Sequence, residues 1–130
     1  MIKVVTFGVF DYFHIGHLNL FEQAKKYGDY LIVGVQDDEG VTLRKNKKPL
    51  YNINDRLKMI KALKIVDEVF VSIQIENDID KIDFDVLCLG EDQNHDGFKY
   101  AIEWCNKHNK KVVRLKRTPE ISSTLIKCTR

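Results

Sequence analysis

Short apolar runs recur along the chain, and polar segments of varying length separate them. The five clearest runs are IKVVTF at 2–7, YLIVGV at 30–35, VDEVFV at 66–71, VLCLG at 86–90 and KVVRL at 111–115. Most of these runs are nearly continuous and do not alternate with polar residues, which is typical of strands covered on both faces. The pattern therefore predicts five short strands of a parallel sheet.

Segments with apolar residues at helical spacing lie between the predicted strands. Leu18, Phe21 and Ala24 predict a helix over about 15–27, and Gly28 is placed to end it. Later candidates are a helix after a cap at Asn54, a short helix within 76–83, a helix over 97–108 and a final short helix starting near Ser122. The polar stretch 36–52 is predicted to be a loop.

Strands that alternate with helices indicate an α/β fold with right-handed crossovers. We predict a Rossmann-like, doubly wound sheet of five parallel strands in a single domain over residues 1–130. Ligands of such sheets bind beyond the carboxyl ends of the strands, where the strand order reverses. The segments that leave those ends are 8–17, 36–48, 90–96 and 116–124.

Length and composition fit one globular domain. The chain has 130 residues and 44% hydrophobic residues, which leaves no room for a second domain and argues against disorder. No apolar run is long enough for a transmembrane helix, and the N-terminus lacks the features of a signal peptide. The three cysteines are widely spaced and form no CxxC pair. We therefore expect a cytoplasmic protein with reduced thiols.

The net charge of +2 excludes a strong general field for nucleic acid, but the basic residues are unevenly distributed. Segment 44–48 holds four cations and segment 110–117 holds five, whereas 49–100 carries eleven acids against six bases. The two basic segments either converge on a small polyanion or form an ordinary solvated surface, and charge alone leaves both interpretations open.

The most specific motif is His14-Ile15-Gly16-His17, which follows the first strand and opens the first helix. A helix N-terminus offers N–H groups and partial positive charge that suit phosphate, and two imidazoles there can donate hydrogen bonds as charge develops. A chance pair of histidines and a two-ligand metal site are the alternatives. The metal interpretation lacks a nearby third ligand, because His95 and His108 are remote in sequence.

A second candidate motif, RTPEISST at 117–124, follows the last predicted strand. Its arginine and three hydroxyl groups suit phosphate oxygens, although an N-cap loop with a solvated arginine has the same composition. Both motifs leave the same edge of the predicted sheet, which strengthens the phosphate interpretation of each.

These residues resemble those of a known family. GVFDYFHIGH is similar to the G-x-F-D-x-x-H-x-G-H signature of the nucleotidyltransferase superfamily, and RTPEISST is similar to the R-T-x-G-I-S-[ST]-T motif of its cytidylyltransferase branch. The VDEV segment is also typical of that branch. The resemblance covers nearly the whole chain and is greatest to the bacterial glycerol-3-phosphate cytidylyltransferases.

The resemblance implies a role for each matching position. Catalytic roles fall on His14, His17, Lys45 and Arg117. Acceptor binding falls on Asp11, Lys45, Lys47 and Arg56. Nucleotide binding falls on Gly8, Val9, Phe10, His14, Gly16, His17, Gly90, Asp92, Arg117, Thr118, Ile121, Ser122, Ser123 and Thr124. For Asp11, orienting a histidine, binding acceptor hydroxyls, assisting a metal and forming a turn all stay open.

The implied reaction transfers CMP from CTP to a small phosphorylated alcohol, with glycerol 3-phosphate as the leading acceptor. Phosphoethanolamine, phosphocholine, another polyol phosphate, adenylyl transfer and a nucleotide-binding module without catalysis are the alternatives. Mg²⁺ held mainly by the nucleotide phosphates is the implied cofactor, and no residue is assigned as its ligand beyond the open role of Asp11. The expected partners are CTP, the acceptor and a second copy of the chain in a homodimer, with no nucleic acid and no membrane insertion.

Several positions depart from the family pattern. Glu120 replaces a motif glycine, and Lys64 replaces an arginine. Ile75 and Asp78 stand near positions that hold a tryptophan and a lysine in the glycerol-3-phosphate enzymes. Asp78 or Asp80 is therefore either a contact for a cationic or hydroxyl-rich group or part of a solvated acidic helix end. His95 lies in a loop unlike the family pattern, where a surface position and a nucleotide contact are both open.

Overall fold

The computed structural model describes residues 1–116, apart from the side chains of Arg44 and Lys45. Five strands and five α-helices form the described part. In chain order they are β1 (Lys3–Gly8), α1 (Ile15–Lys25), β2 (Tyr30–Gln36), α2 (Asp38–Lys45), α3 (Ile53–Lys61), β3 (Glu68–Ser72), α4 (Ile75–Asp78), a 3₁₀ turn at Ile79–Lys81, β4 (Val86–Gly90), α5 (Asp96–Lys107) and β5 (Lys111–Leu115).

The strands form one parallel sheet in the order β3-β2-β1-β4-β5. Central strand β1 pairs with β2 on one side and β4 on the other, so that Val5 lies opposite both Ile32 and Leu87. The chain first winds outward from β1 to β3 and then crosses to β4, which places the topological switch point between β1 and β4. The predicted fold class and the five predicted strands are confirmed.

Two apolar layers cover the two faces of the sheet. On one face, Val4 and Val33 pack with Phe21 of α1 and Ile60 of α3. On the other face, alternate strand residues pack with α4 and α5, as Val5 and Ile32 do with Ile75 and Phe98. Because successive strand residues point to opposite faces, both layers need apolar side chains, and this requirement explains the continuous apolar runs.

Helix α2 lies within the stretch that was predicted to be a loop, and that prediction is wrong. The carboxylate of Asp37 accepts a hydrogen bond from Gly40 N–H at 2.8 Å and caps the helix. Val41 is buried, whereas Leu43 is 74% exposed. The helix therefore lacks the repeated apolar positions from which a helix is recognised in sequence, and its cap provides the remaining signal.

Helix α3 begins two residues earlier than the sequence suggested. Its N-cap is Asn52, whose side-chain oxygen accepts a hydrogen bond from Asp55 N–H at 2.9 Å, and Asn54 lies within the first turn. Both asparagines are suitable caps by residue type, so the choice depends on the path of the preceding loop. Among the described helices, none has the length and apolar character that a membrane crossing requires.

Candidate active site

A cleft of about 1010 Å³ opens at the carboxyl edge of the sheet, over the switch point between β1 and β4. It is lined by ten residues that the sequence had marked as site residues. They are Gly8, Val9, Phe10, Asp11, His14, Gly16, His17, Lys47, Gly90 and Asp92. The fold therefore brings together three segments that are remote in sequence, as the topology predicts.

His14 and His17 form a reciprocal cap at the start of α1. Nδ1 of His14 accepts a hydrogen bond from Gly16 N–H at 3.0 Å, and Nδ1 of His17 accepts one from His14 N–H at 3.2 Å. Their rings stack with a centroid separation of 4.0 Å and an interplanar angle of 21°. This is the arrangement of a capping box, with two imidazoles in place of the usual hydroxyl and carboxylate.

The cap also fixes the tautomer of both imidazoles. A ring nitrogen that accepts a hydrogen bond carries no proton, so a neutral imidazole that accepts at Nδ1 carries its proton on Nε2. His14 and His17 are thus both Nε2–H tautomers in this arrangement. Two N–H donors held on one helix start can stabilise negative charge that develops on an oxygen in the cleft.

Phe10 packs against this histidine pair and has a strained backbone. Its φ of 56° lies in the left-handed region, which bulky residues rarely adopt. The ring is buried and packs edge-on against His17, with centroids 5.5 Å apart, and against Phe21 at 5.1 Å. A Cβ atom at Gly8 would lie 2.7 Å from Cζ of Phe10, so the glycine is needed for this packing.

Asp11 holds the loop that leads into α3. Its two carboxylate oxygens accept hydrogen bonds from the N–H groups of Leu50 and Tyr51, at 2.7 and 3.0 Å. The described contacts give Asp11 a structural role between the exit of β1 and this loop, which is nearest to the turn-forming role among those left open. Its side chain also lines the cleft.

Arg56, predicted to bind the acceptor, lies beneath the cleft instead of on its surface. Its side chain is fully buried. Nε donates to Tyr51 O at 2.9 Å, Nη1 donates to Val9 O at 2.9 Å and Gln36 O at 2.6 Å, and Nη2 donates to the Asp38 carboxylate at 2.6 Å. In this structure the guanidinium therefore joins the segments that follow β1 and β2, and it is not exposed at the surface of the cleft where an acceptor would bind.

The loop after β4 is fixed by a glutamine that the sequence did not single out. Gln93 accepts a hydrogen bond from Gly90 N–H at 2.8 Å and donates one to Phe7 O at 2.8 Å, so it bridges the ends of β4 and β1. Arg114 donates to the carbonyls of Gly90 and Gln93, at 3.0 and 2.8 Å. These bonds hold Asp92 at the cleft.

Three lysines from two segments line the cleft. Lys47 and Lys48 come from the segment after α2, and Lys116 follows β5. The backbone of Lys116 is held against α1 by a reciprocal pair of hydrogen bonds with the Gln23 side chain, at 3.0 and 3.3 Å. The two basic segments recognised in the sequence thus each contribute to one cleft.

The segment after β3 contributes a different set of groups. Asp78 accepts hydrogen bonds from Ser72 Oγ at 2.8 Å and Ile73 N–H at 3.1 Å, so it stabilises the turn after β3. Asp78 and Asp80, the predicted contacts for a polar acceptor, do not line the cleft among the described residues, whereas Glu76 does. Sequence reasoning missed Glu76 because its approach depends on the packing of α4 against α5.

The predicted motif residues Arg117, Thr118, Ile121, Ser122, Ser123 and Thr124 lie outside the described residues, as do Glu120 and the final short helix. The same is true of the Lys45 side chain. Within residues 1–116, no group of three His, Cys, Asp or Glu side chains has the arrangement of a metal site. The described donors thus do not by themselves form a Mg²⁺ site.

Comparison with known proteins agrees with this geometry. A family model for cytidylyltransferase-like domains matches residues 5–129. A glycerol-3-phosphate cytidylyltransferase of Bacillus spizizenii is 40% identical over 98% of this chain and 95% of its own. A FAD synthase of Thermococcus sibiricus is also 40% identical, over 88% of this chain and 80% of its own.

A solved structure, that of a lipopolysaccharide core biosynthesis protein from Thermoplasma volcanium, superposes with a TM-score of 0.79 at 32% identity. The match covers 91% of this chain and 98% of that protein. The family match spans the cleft-lining motif, both flanking layers and the sheet edge described above. The chain therefore belongs to the cytidylyltransferase-like family and is a nucleotidyltransferase.

Proposed function

We propose that this protein transfers a nucleoside monophosphate from a nucleoside triphosphate to a phosphate monoester and releases pyrophosphate. The observation that carries the proposal is the His14–His17 pair, whose Nδ1 atoms are engaged by backbone N–H groups at the start of α1, within a cleft that lysines also line. Imidazole N–H donors, a helix N-terminus and ammonium groups all favour phosphate.

In this reaction an oxygen of the acceptor phosphate attacks the α-phosphorus, the new P–O bond forms, and the bond to the bridging oxygen of pyrophosphate breaks. The acceptor needs no general base, because a phosphate monoester with a second pKa of about 6 is largely a dianion at neutral pH. The protein has to hold two anions together and stabilise the charge that builds up on the transferred group. His14 and His17 supply the donors, and Lys47, Lys48 and Lys116 offset the repulsion.

The leading substrates are CTP and glycerol 3-phosphate, which give CDP-glycerol. Support comes from relatives named glycerol-3-phosphate cytidylyltransferase at 40% and 37% identity, each over 98% of this chain.

Adenylyl transfer to FMN is the second candidate, because FAD synthases match equally well. FAD contains FMN joined to an AMP unit, so its synthesis also attaches a nucleotide to a phosphate monoester. The specific observation in its favour is the loop after β4, which departs from the cytidylyltransferase pattern and which Gln93 holds by bridging two strands.

A substrate matrix tests both candidates. Purified protein is incubated with CTP or ATP and with glycerol 3-phosphate, FMN, phosphocholine or phosphoethanolamine, pyrophosphate release is followed, and products are identified by mass spectrometry. We expect turnover with one of the two nucleotides and one of the four acceptors. Absence of turnover with every pair would contradict the proposed transfer, and turnover with ATP and FMN alone would replace the leading substrates with the second pair.

Three further expectations accompany the proposal. Mg²⁺ is expected to arrive with the nucleotide phosphates. A homodimer through the face that includes α3 and the 66–80 segment is testable by sedimentation, and the exposed Val71 and Ile73 of that segment, 44% and 60% accessible, are compatible with it. A cytoplasmic location stays a prediction.

A further inference from the structure

His95 and His14 build the same local structure on opposite sides of the switch point. Nδ1 of His95 accepts a hydrogen bond from Gly97 N–H at 3.1 Å, as Nδ1 of His14 does from Gly16 N–H at 3.0 Å. Each histidine is the N-cap of the helix that follows a central strand, β4 for His95 and β1 for His14. Both side chains line the cleft.

The resemblance extends to the ring that supports each histidine. His95 lies against Phe98 with a centroid separation of 4.2 Å, as His14 lies against His17 at 4.0 Å. The glycine at position 97 makes room for the imidazole in this cap, because a Cβ atom there would lie 2.9 Å from Cε1 of His95. The cap engages Nδ1, so the neutral imidazole of His95 also carries its proton on Nε2.

The surroundings of the two histidines differ in charge. The Glu76 carboxylate is close to His95, because both lie within 3.0 Å of the position that a Cβ atom on Gly97 would occupy. Asp92 and Asp96, on either side of His95 in sequence, also line the cleft. A carboxylate at the first turn of α5 is favoured by the helix dipole, but it disfavours a phosphate at that place. The lysines that line the cleft come from other segments: Lys47 and Lys48 follow α2, and the backbone of Lys116 is bound to the Gln23 side chain of α1.

The cleft therefore has one side suited to phosphates and another suited to uncharged polar groups. We propose that His95 is a nucleotide-positioning residue that donates a hydrogen bond from Nε2 to an oxygen or nitrogen acceptor of the nucleoside moiety, while the phosphates lie at α1. The proposal rests on the nucleotidyl transfer proposed above, and it adds a residue to nucleoside recognition that the family motifs do not contain.

The substitution His95→Asn separates this role from the cap. Asparagine is a good N-cap residue whose side-chain oxygen accepts the same kind of backbone hydrogen bond, but its shorter amide cannot place an N–H donor where the imidazole Nε2–H lies. His95→Ala removes both functions. His108→Asn is the matched control, because His108 lies at the other end of α5, stacked on Trp104 at 4.1 Å.

The measurements are calorimetric titrations with CTP, ATP and inorganic pyrophosphate, together with the melting temperature of each variant. Loss of one neutral hydrogen bond weakens binding by about five- to tenfold. We expect His95→Asn to weaken binding of the preferred nucleotide by that factor, to leave pyrophosphate binding unchanged and to melt as wild type does. His108→Asn should match wild type in all three titrations, and His14→Asn should weaken pyrophosphate binding.

Unchanged nucleotide affinity in folded His95→Asn would overturn the role of His95 and leave the proposed transfer intact. Equal weakening of nucleotide and pyrophosphate would place His95 on the phosphate side and also overturn it. A wild-type protein that binds neither nucleotide would refute the proposed function itself. If the variant does not fold, imidazole ¹H–¹⁵N spectra of wild type decide, because His95 signals should shift with nucleotide and not with pyrophosphate.

Discussion

The Arg56 guanidinium donates to the Asp38 carboxylate at 2.6 Å, and this ion pair lies beneath the loops that form the cleft. The arginine is fully buried, whereas the aspartate side chain keeps 41% of its exposure. Three further hydrogen bonds from the same guanidinium reach backbone carbonyls of separate segments. One side chain thus fixes the relative positions of the β1 exit, the β2 exit and the loop before α3.

Replacement of Arg56 by methionine should therefore destabilise the fold as well as the cleft. Breaking a buried ion pair costs about 3–5 kcal/mol, and we expect the lower end because Asp38 remains partly hydrated. Urea unfolding at neutral pH measures the change. Lys58→Met on the same helix is the matched control, because Lys58 is exposed and should stay within about 0.5 kcal/mol of wild type. A stability of Arg56→Met equal to that of the control would contradict the bridging role.

The imidazoles at the start of α1 should matter for turnover more than for stability. Substituting His14 or His17 by alanine should lower kcat by on the order of a hundredfold, the effect of losing one transition-state donor. His14→Asn should lower kcat equally but retain the cap, whereas His14→Ala should also lose about 1 kcal/mol of stability. Steady-state pyrophosphate release and thermal unfolding measure the two effects. A His14→Asn enzyme with wild-type kcat would show that only the cap matters.

The fold was predictable from sequence because its signals are local, whereas several site details are not. Continuous apolar runs and helical spacing identify the sheet and the long helices without any tertiary information. Helix α2 escaped prediction because it buries little apolar surface. The role of Arg56 depends on three carbonyls from different segments that converge only in the folded chain. The same holds for Gln93, whose two partners lie at the ends of β1 and β4.

The buried cysteines should be unreactive in the native protein. Desolvation raises the pKa of Cys88 to about 12 and that of Cys105 to about 11, and both side chains are inaccessible. Because the thiolate is the nucleophile, alkylation by iodoacetamide at pH 8 should be negligible for both residues in native buffer and complete in urea. Peptide mass spectrometry reads each cysteine separately. Native labelling of Cys88 at the rate of a small free thiol would contradict this burial.

The VDEV segment carries a structural carboxylate that links α1 to the sheet. Asp67 accepts hydrogen bonds from Lys25 Nζ, in the last turn of α1, and from Leu31 N–H of β2 at 2.8 Å. Partial desolvation acts to raise the pKa of Asp67, but the hydrogen bonds from Lys25 and Leu31 and the charge of Lys25 outweigh it, so the pKa is lowered from 3.8. This connection anchors the C-terminal end of the helix whose other end presents His14 and His17.

The lowered pKa of Asp67 predicts that this carboxylate stabilises the fold at neutral pH and less so in acid. Because Asp67 holds its proton less tightly in the folded chain, its stabilising contribution is fully present above the ordinary pKa near 4 and is lost as the pH falls through the lower folded value. The urea midpoint of wild type should therefore fall more steeply below pH 5 than that of Asp67→Asn. Lys25→Met should flatten the dependence in the same way, since it removes the cation that lowers the pKa. The side chain keeps 35% exposure, so added salt should reduce the difference. Parallel midpoint curves for wild type and Asp67→Asn from pH 7 to pH 3 would refute the link between this carboxylate and the anchoring of α1.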